Sequence, residues 1–231
     1  MKLYNNLINE IKSSLTDSKR LEKSTAQLNV SNKNSVIFLS DTAFELGGNN
    51  KPCVSSLAVS SDIEFSNSVF LQGKDLNEIK SDSPFGKFVF VQIEDLPDEQ
   101  DTFNKIKELE ALRYHLSIDG FMTRASAVNM REQIRVSKKA LKSGGTFADY
   151  GNALLNEYLK FPYVKSAEIY FATDSCDFDV LNSIAKKISQ TTSALNHIFD
   201  NVMFDCSSCN LKEICDEVDG LKELHFKNAK K

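Results

Sequence analysis

Missing from these 231 residues is any apolar run long enough to cross a bilayer. The first twenty residues also scatter charges among their apolar positions instead of building an uninterrupted apolar segment. Together these absences lead to the expectation of a cytoplasmic protein, with no membrane among its partners and its cysteines kept reduced. An excess of positive charge is missing as well. A formal net charge of -4 lacks the excess that neutralises phosphate backbones, so nucleic acid is not expected as a partner. No Gly-x-Ser-x-Gly nucleophile turn exists. The one glycine pair set before a helix, in Lys142-Ser-Gly-Gly-Thr146, matches neither a Walker loop nor a dinucleotide fingerprint, and reads as a turn between helices. His115 and His197 fall on expected helices without a partner for a triad or a metal pair.

Cysteine, by contrast, is concentrated. Three of the five cysteines lie within ten residues, in the run Cys206-Ser-Ser-Cys209-Asn-Leu-Lys-Glu-Ile-Cys215. Thiolates two residues apart can turn toward one centre, and a helix advancing about 100° per residue brings the third back toward them. In a reducing compartment that spacing points to a metal, either an iron-sulfur cluster or zinc. Both normally take four ligands, and the run supplies three. The candidates for the fourth are Cys176, at a strand end, and His225, beyond the run; the alternative is an iron left open to an external ligand. Asp205, Glu213, Asp216, Glu217 and Asp219 surround the thiolates with negative charge, which favours the oxidised form of a cluster without excluding zinc.

Arginine is rare but local. Of five arginines, Arg113, Arg124, Arg131 and Arg135 fall in one short interval, whereas lysines are scattered throughout. A guanidinium fork binds planar or phosphorylated anions bidentately; the plainer reading is surface ion pairs.

Apolar periodicity predicts an opening helix through Leu3, Leu7, Ile8, Ile11 and Leu15, then a polar linker over Ser24–Asn34. Strands are expected at Ser35–Ser40, Val54–Val59, Ser68–Leu71, Lys87–Ile93, Arg131–Val136 and Lys165–Thr173. Helices are expected along the Phe103–Leu116 stripe, at Lys138–Lys142, from a capping box at Thr146–Asp149 to about Lys160, and along the stripe from Val180 to Phe199. Asn210 would cap a last short helix carrying Cys215. Strands and helices mix without strict alternation, so the expected class is α+β (mixed α/β), a mixed sheet flanked by helices with a small cysteine-rich metal-binding tail. The expected division is 1–34 as helix and linker, 35–200 as the mixed domain and 201–231 as the tail.

Three words in the middle of the chain carry a family resemblance. They are Phe44-Glu-Leu-Gly-Gly48 with Lys51-Pro52, then Arg131-Glu-Gln-Ile-Arg-Val-Ser-Lys138, and Phe161-Pro-Tyr-Val-Lys-Ser-Ala-Glu-Ile-Tyr-Phe-Ala-Thr-Asp174. In order and separation, residues 41–174 resemble the β-type subunit of the carbon monoxide dehydrogenase/acetyl-CoA synthase complex, where such words belong to a mixed α and β middle domain preceding a cluster-bearing domain. The resemblance implies a setting in which a methyl group from a corrinoid protein, carbon monoxide and coenzyme A become acetyl-CoA on a nickel site bridged to a four-iron cluster. It also implies a Cys-x2-Cys pair, two further cysteines and a later Cys-x-Cys that holds nickel. This chain has no Cys-x-Cys, which implies a shortened relative with a simpler metal tail, of the four-iron kind or zinc. The resemblance offers Arg124, Arg131 and Arg135 the phosphates of coenzyme A or an acyl-CoA to bind. A protein partner in an anaerobic one-carbon or acyl-CoA pathway is implied too. The alternative is a noncatalytic docking or CoA-binding module closed by structural zinc.

Overall fold

The computed structural model describes residues 2–24, 28–33, 36–95, 98–126, 131–174, 176–199 and 209–228. Among these residues, ten strands form two sheets of five. The strands are β1 (Lys19–Arg20), β2 (Val30–Ser31), β3 (Thr42–Leu46), β4 (Cys53–Ser60), β5 (Ser68–Gln72), β6 (Phe85–Ile93), β7 (Ser117–Ile118), β8 (Phe121–Ser126), β9 (Arg131–Ser137) and β10 (Val164–Ala172). Helices are α1 (Asn5–Ser14), α2 (Glu99–His115), α3 (Lys138–Lys142), α4 (Phe147–Leu159), α5 (Phe178–Phe199), α6 (Lys212–Glu217) and α7 (Leu221–Asn228).

The first sheet runs β1-β5-β10-β6-β4. It is mixed: β5 and β10 are parallel, as are β6 and β4, while β10 and β6 are antiparallel. Its strands β4, β6 and β10 are buried along almost their whole length, which is what a sheet covered on both faces requires of a near-continuous apolar sequence. On one face Phe85 and Phe171 stack with Phe147 of α4, at ring distances of 6.2 and 4.9 Å. On the other, Phe65, Phe90 and Tyr170 cluster beneath α1, whose Lys12 lies over two of the rings. The phenol of Tyr4, at the start of α1, is fully buried and hydrogen-bonds Thr192 of α5 at 2.9 Å.

The second sheet runs β2-β7-β8-β9-β3 and is antiparallel throughout. Burial alternates along β9, so one face meets the core and the other faces outward. The mixed architecture with helices flanking a mixed sheet is the class read from the sequence. The second sheet was not foreseen, because Phe121–Ser126 is a run with few strong strand formers and β2 and β7 are only two residues long.

The helix stripes, the short α3 and the Thr146–Asp149 capping box occur where periodicity placed them. Three local readings are corrected. Ser35 lies outside the described residues, and Val36 to Ser40 is no buried strand. Val36, Phe38 and Leu39 are 64, 66 and 75% exposed, and the strand begins only at Thr42. Apolar content drove that reading, but a single-layer edge segment with only Ile37 turned inward has nothing to cover the rest. Val180 is exposed on α5 rather than on its buried face. The short helix carrying Cys215 starts after Leu211 with no side-chain cap, so Asn210 does not close it.

Residues of α1, α6 and α7 contribute Ile8, Ile11, Ile214 and Leu221 to the same apolar core as the sheets. Among the described residues, no helix is long and apolar enough to cross a membrane.

Candidate functional site

Strand register places the three predicted arginines on one face. Arg131 and Arg135 are separated by an even number along β9, and Arg124 of β8 lies opposite Gln133, between them. Arg124 therefore joins them from the neighbouring paired strand. Their surroundings differ. Arg135 is committed: its guanidinium binds Glu45 of β3 at 2.6 Å and donates to the Ile37 carbonyl at 2.9 Å. Arg124 is exposed. Arg131 sits over the turn after β3, donating to the carbonyls of Gly47 (3.3 Å) and Lys51 (3.5 Å), while its buried Nε has no hydrogen-bond partner. That turn needs glycine at 47, where φ is +69° and a Cβ would stand 2.5 Å from Cys53 Sγ. Beside it opens a cleft of about 420 Å³ lined by Lys51, Cys53, Arg131, Phe178, Asp179 and Asn182. Two cations against one carboxylate give the cleft a bias toward anions.

On the inner face of the same strand, Glu132 reaches the first sheet. It pairs with the fully buried Lys87 of β6, accepts from Ser55 of β4 at 3.2 Å, and lies 3.8 Å from Arg113 of α2. Arg113 in turn donates to Ser55 at 3.0 Å. Burial pushes the Lys87 ammonium below its ordinary value, an effect that Glu132 opposes. Sequence reasoning missed this cluster. The signal was a lysine interrupting the apolar run Phe85–Ile93 and a glutamate in the inward phase of β9.

The three family words meet in this region. The first pairs with the second as β3 against β9, with Glu45 opposite Arg135 and Leu46 opposite Ile134. The third word forms most of β10, whose end is tied to the same turn through Ser83, which bonds Gly47, Glu45 and Thr173. A family model described as the CO dehydrogenase/acetyl-CoA synthase complex beta subunit matches residues 30–178. The chain belongs to this family. No curated protein matches it. The segment matched to the acetyl-CoA synthase β-subunit family takes in β2 through β10 and both sheets except β1. It ends at the first residue of α5, ahead of the cysteine run.

Cys206 and the neighbouring Asp205 lie outside the described residues. Cys209, three residues ahead of α6, and Cys215, within it, are partly buried and pack against the core. Cys176 lies just before α5, where burial and the carboxylates of Asp174 and Asp177 push its thiol up to about 11. His225 is on α7. Among the described residues no three His, Cys, Asp or Glu side chains converge as metal ligands. The donor chemistry of Cys209 and Cys215 fits either an iron-sulfur cluster or zinc.

Proposed function

We propose that this chain is a divergent or accessory member of the acetyl-CoA synthase β-subunit family, working in the cytoplasm in anaerobic one-carbon or acyl-CoA metabolism. On this reading the arginine face meets the phosphates of coenzyme A or an acyl-CoA, with Arg131 foremost and Arg124 and Arg135 alongside. The observation that carries it is the cleft where Arg131 and Lys51 stand together against the single carboxylate of Asp179. Guanidinium and ammonium groups at the mouth of a cleft favour phosphoryl oxygens through charge-assisted hydrogen bonds. Titrating coenzyme A against the wild type and Arg131→Ala tests this. The substitution is expected to weaken binding about ten-fold, the loss of roughly one charge-assisted contact. Equal affinity would return Arg131 to a purely structural role in the Gly47–Lys51 turn. Arg135→Ala measures whether that residue contributes anything beyond its pair with Glu45.

Cys206, Cys209 and Cys215 would hold an iron-sulfur cluster, of the four-iron type, with Cys176 or His225 as candidates for the fourth position. When bound, such a cluster would supply electron transfer. The family's nickel-holding Cys-x-Cys has no counterpart in the sequence, so a complete nickel centre does not fit these residues. Iron, sulfide, zinc and nickel analysis after anaerobic purification decides the matter. Iron with sulfide supports the cluster, zinc alone favours the docking module with a structural site, and stoichiometric nickel overturns the claim that the centre is incomplete.

A further inference from the structure

We propose that the open edge of β8 takes an extended segment of a protein partner, added to the second sheet as a further strand that carries an acidic residue between two apolar ones. β9 pairs with the whole of β8, from Phe121 to Ser126, but β7 meets it only through Ile118 and Phe121, because the residues ahead of β7 belong to α2. Ser137 donates its N–H to the Gly120 carbonyl at 2.9 Å, which fixes the phase of the β8–β9 ladder. Met122, Arg124 and Ser126 exchange backbone bonds with β9, so the N–H and C=O groups of Thr123 and Ala125 point the other way. Among the described residues no strand or turn pairs those four groups. An unpaired row of this kind is a template for another chain.

A cavity of about 290 Å³ opens where β7 and β8 part. Thr123 and Ala125 line it together with Val36, Tyr114, Leu116 and Met122, a largely apolar wall. Val36 and Tyr114 are exposed there, and Phe38 and Leu39, the most exposed large apolar side chains among the described residues, follow Val36 on the same segment. The amide of Ile37 holds that segment to β8 through Met122 Sδ at 3.3 Å. Apolar side chains grouped beside an open strand edge mark an interaction site, whereas singly scattered ones do not. Arg113 borders the cavity too, but its guanidinium is engaged by Ser55 and Glu132.

Charge selects the occupant. In an added antiparallel strand, the residue across from Arg124 stands on the outward face, and its two neighbours turn to the other face beside Thr123 and Ala125. Arg124 is exposed, stands across from the neutral Gln133 on its paired side, and has no ion pair among the described residues. No carboxylate among those residues lines the cavity either. An acidic residue across from Arg124 therefore completes an opposite-charge cross-strand pair, with apolar neighbours on the cavity side. A second copy of this chain does not fit. The register that joins Thr123 of each β8 to Ala125 of the other sets two Arg124 guanidinium groups directly opposite, and like charges in that position are destabilising. The site concerns this edge and not the cleft beside Arg131, so it does not rest on the coenzyme A reading.

Fluorescence anisotropy of a labelled peptide, Val-Glu-Val between Gly-Ser ends, titrated with the whole chain tests the site. Saturable binding is expected, weaker by about ten-fold when lysine replaces the peptide's glutamate. Ala125→Pro should also weaken it about ten-fold, since it removes one outward N–H at an edge position where proline is tolerated. Arg124→Glu should reverse the preference between the two peptides. N-methylation of the peptide's valines removes backbone donors without touching the protein, so it remains decisive should Ala125→Pro fail to fold. The inference is overturned by absent binding, by equal affinity in Ala125→Pro or for the methylated peptide, by the lysine peptide binding as tightly, or by a dimer in sedimentation that Ala125→Pro dissociates.

Discussion

Each sheet has five strands, yet they solve different problems. The sheet around β10 is covered on both faces, by α4 and by α1 with α5, and its inner strands are buried along most of their length. The sheet around β9 is covered on one face only, and its other face carries Arg124, Arg131 and Arg135. The first holds the fold together through apolar burial and aromatic packing. The second presents charge outward, and it sends one carboxylate inward to the seam. That seam, where Glu132 meets Lys87 and Ser55, is the place at which the two designs touch.

The largest effect is expected at the seam. Glu132→Gln strips Lys87 of its charge partner in a fully buried position, a change that costs about 3–5 kcal/mol when a buried pair is broken from one side. The pH dependence has a defined sign. Burial holds the Lys87 pKa below its ordinary 10.5, so between the folded and unfolded values the folded state binds fewer protons than the unfolded one. Stability of the variant therefore rises as pH climbs through that window toward 10.5. Denaturant titrations from neutral to alkaline pH check this, and a variant that weakens with rising pH would contradict it. Replacing both partners, as Lys87→Met with Glu132→Leu, should recover part of the loss, because the Lys87 charge is then gone while Arg113 still loses its neighbouring carboxylate.

A smaller loss separates the two-sided sheet from the one-sided one. Gly151 lets α4 lie directly on the first sheet: a Cβ there would stand 2.5 Å from Val69 Cγ1 and 2.9 Å from Phe171 Cε2. Overpacking of this kind costs about 1–3 kcal/mol, against roughly 1 kcal/mol regained from the better helix propensity of alanine. Gly151→Ala should accordingly unfold at lower denaturant concentration with an unchanged slope. A stabilised variant would mean that α4 can lift from the sheet, and that the two-sided covering is looser than its aromatic contacts imply.

The same contrast explains what could be read from the sequence. Strands of the two-sided sheet appear as apolar runs, so Lys87–Ile93 and Lys165–Thr173 were legible almost to the residue. The one-sided sheet was legible only in β9, expected over Arg131–Val136 and found over Arg131–Ser137. Strand β8, with Met122, Thr123 and Arg124 in its middle, carries no apolar alternation, and it derives its stability from its partners instead. The Val36–Leu39 segment misled for the opposite reason: strong strand formers with no second layer above them. Of the candidate sites, the arginines were found by their crowding in the sequence, and the pairing of β8 with β9 put Arg124 on their face. The Lys87–Glu132–Arg113 cluster was not found, because its members come from three elements far apart in sequence and are joined only by the packing of one sheet on the other.

The smallest effect is expected on the outward face. Arg124 is exposed and stands across from Gln133, a neutral neighbour, so its guanidinium is solvated in the folded and unfolded chain alike. Removing it in Arg124→Ala deletes little packing and should change stability by no more than about 0.5 kcal/mol, a shift at the edge of detection by thermal unfolding. Salt should matter equally little, since an exposed charge with no ion-pair partner among the described residues has little to screen. A drop in Tm comparable to that of Gly151→Ala would show that this face is packed against something in solution. The second sheet would then be covered on both sides like the first, and the difference between them would lie in what covers it: the chain's own helices in one case, another molecule in the other.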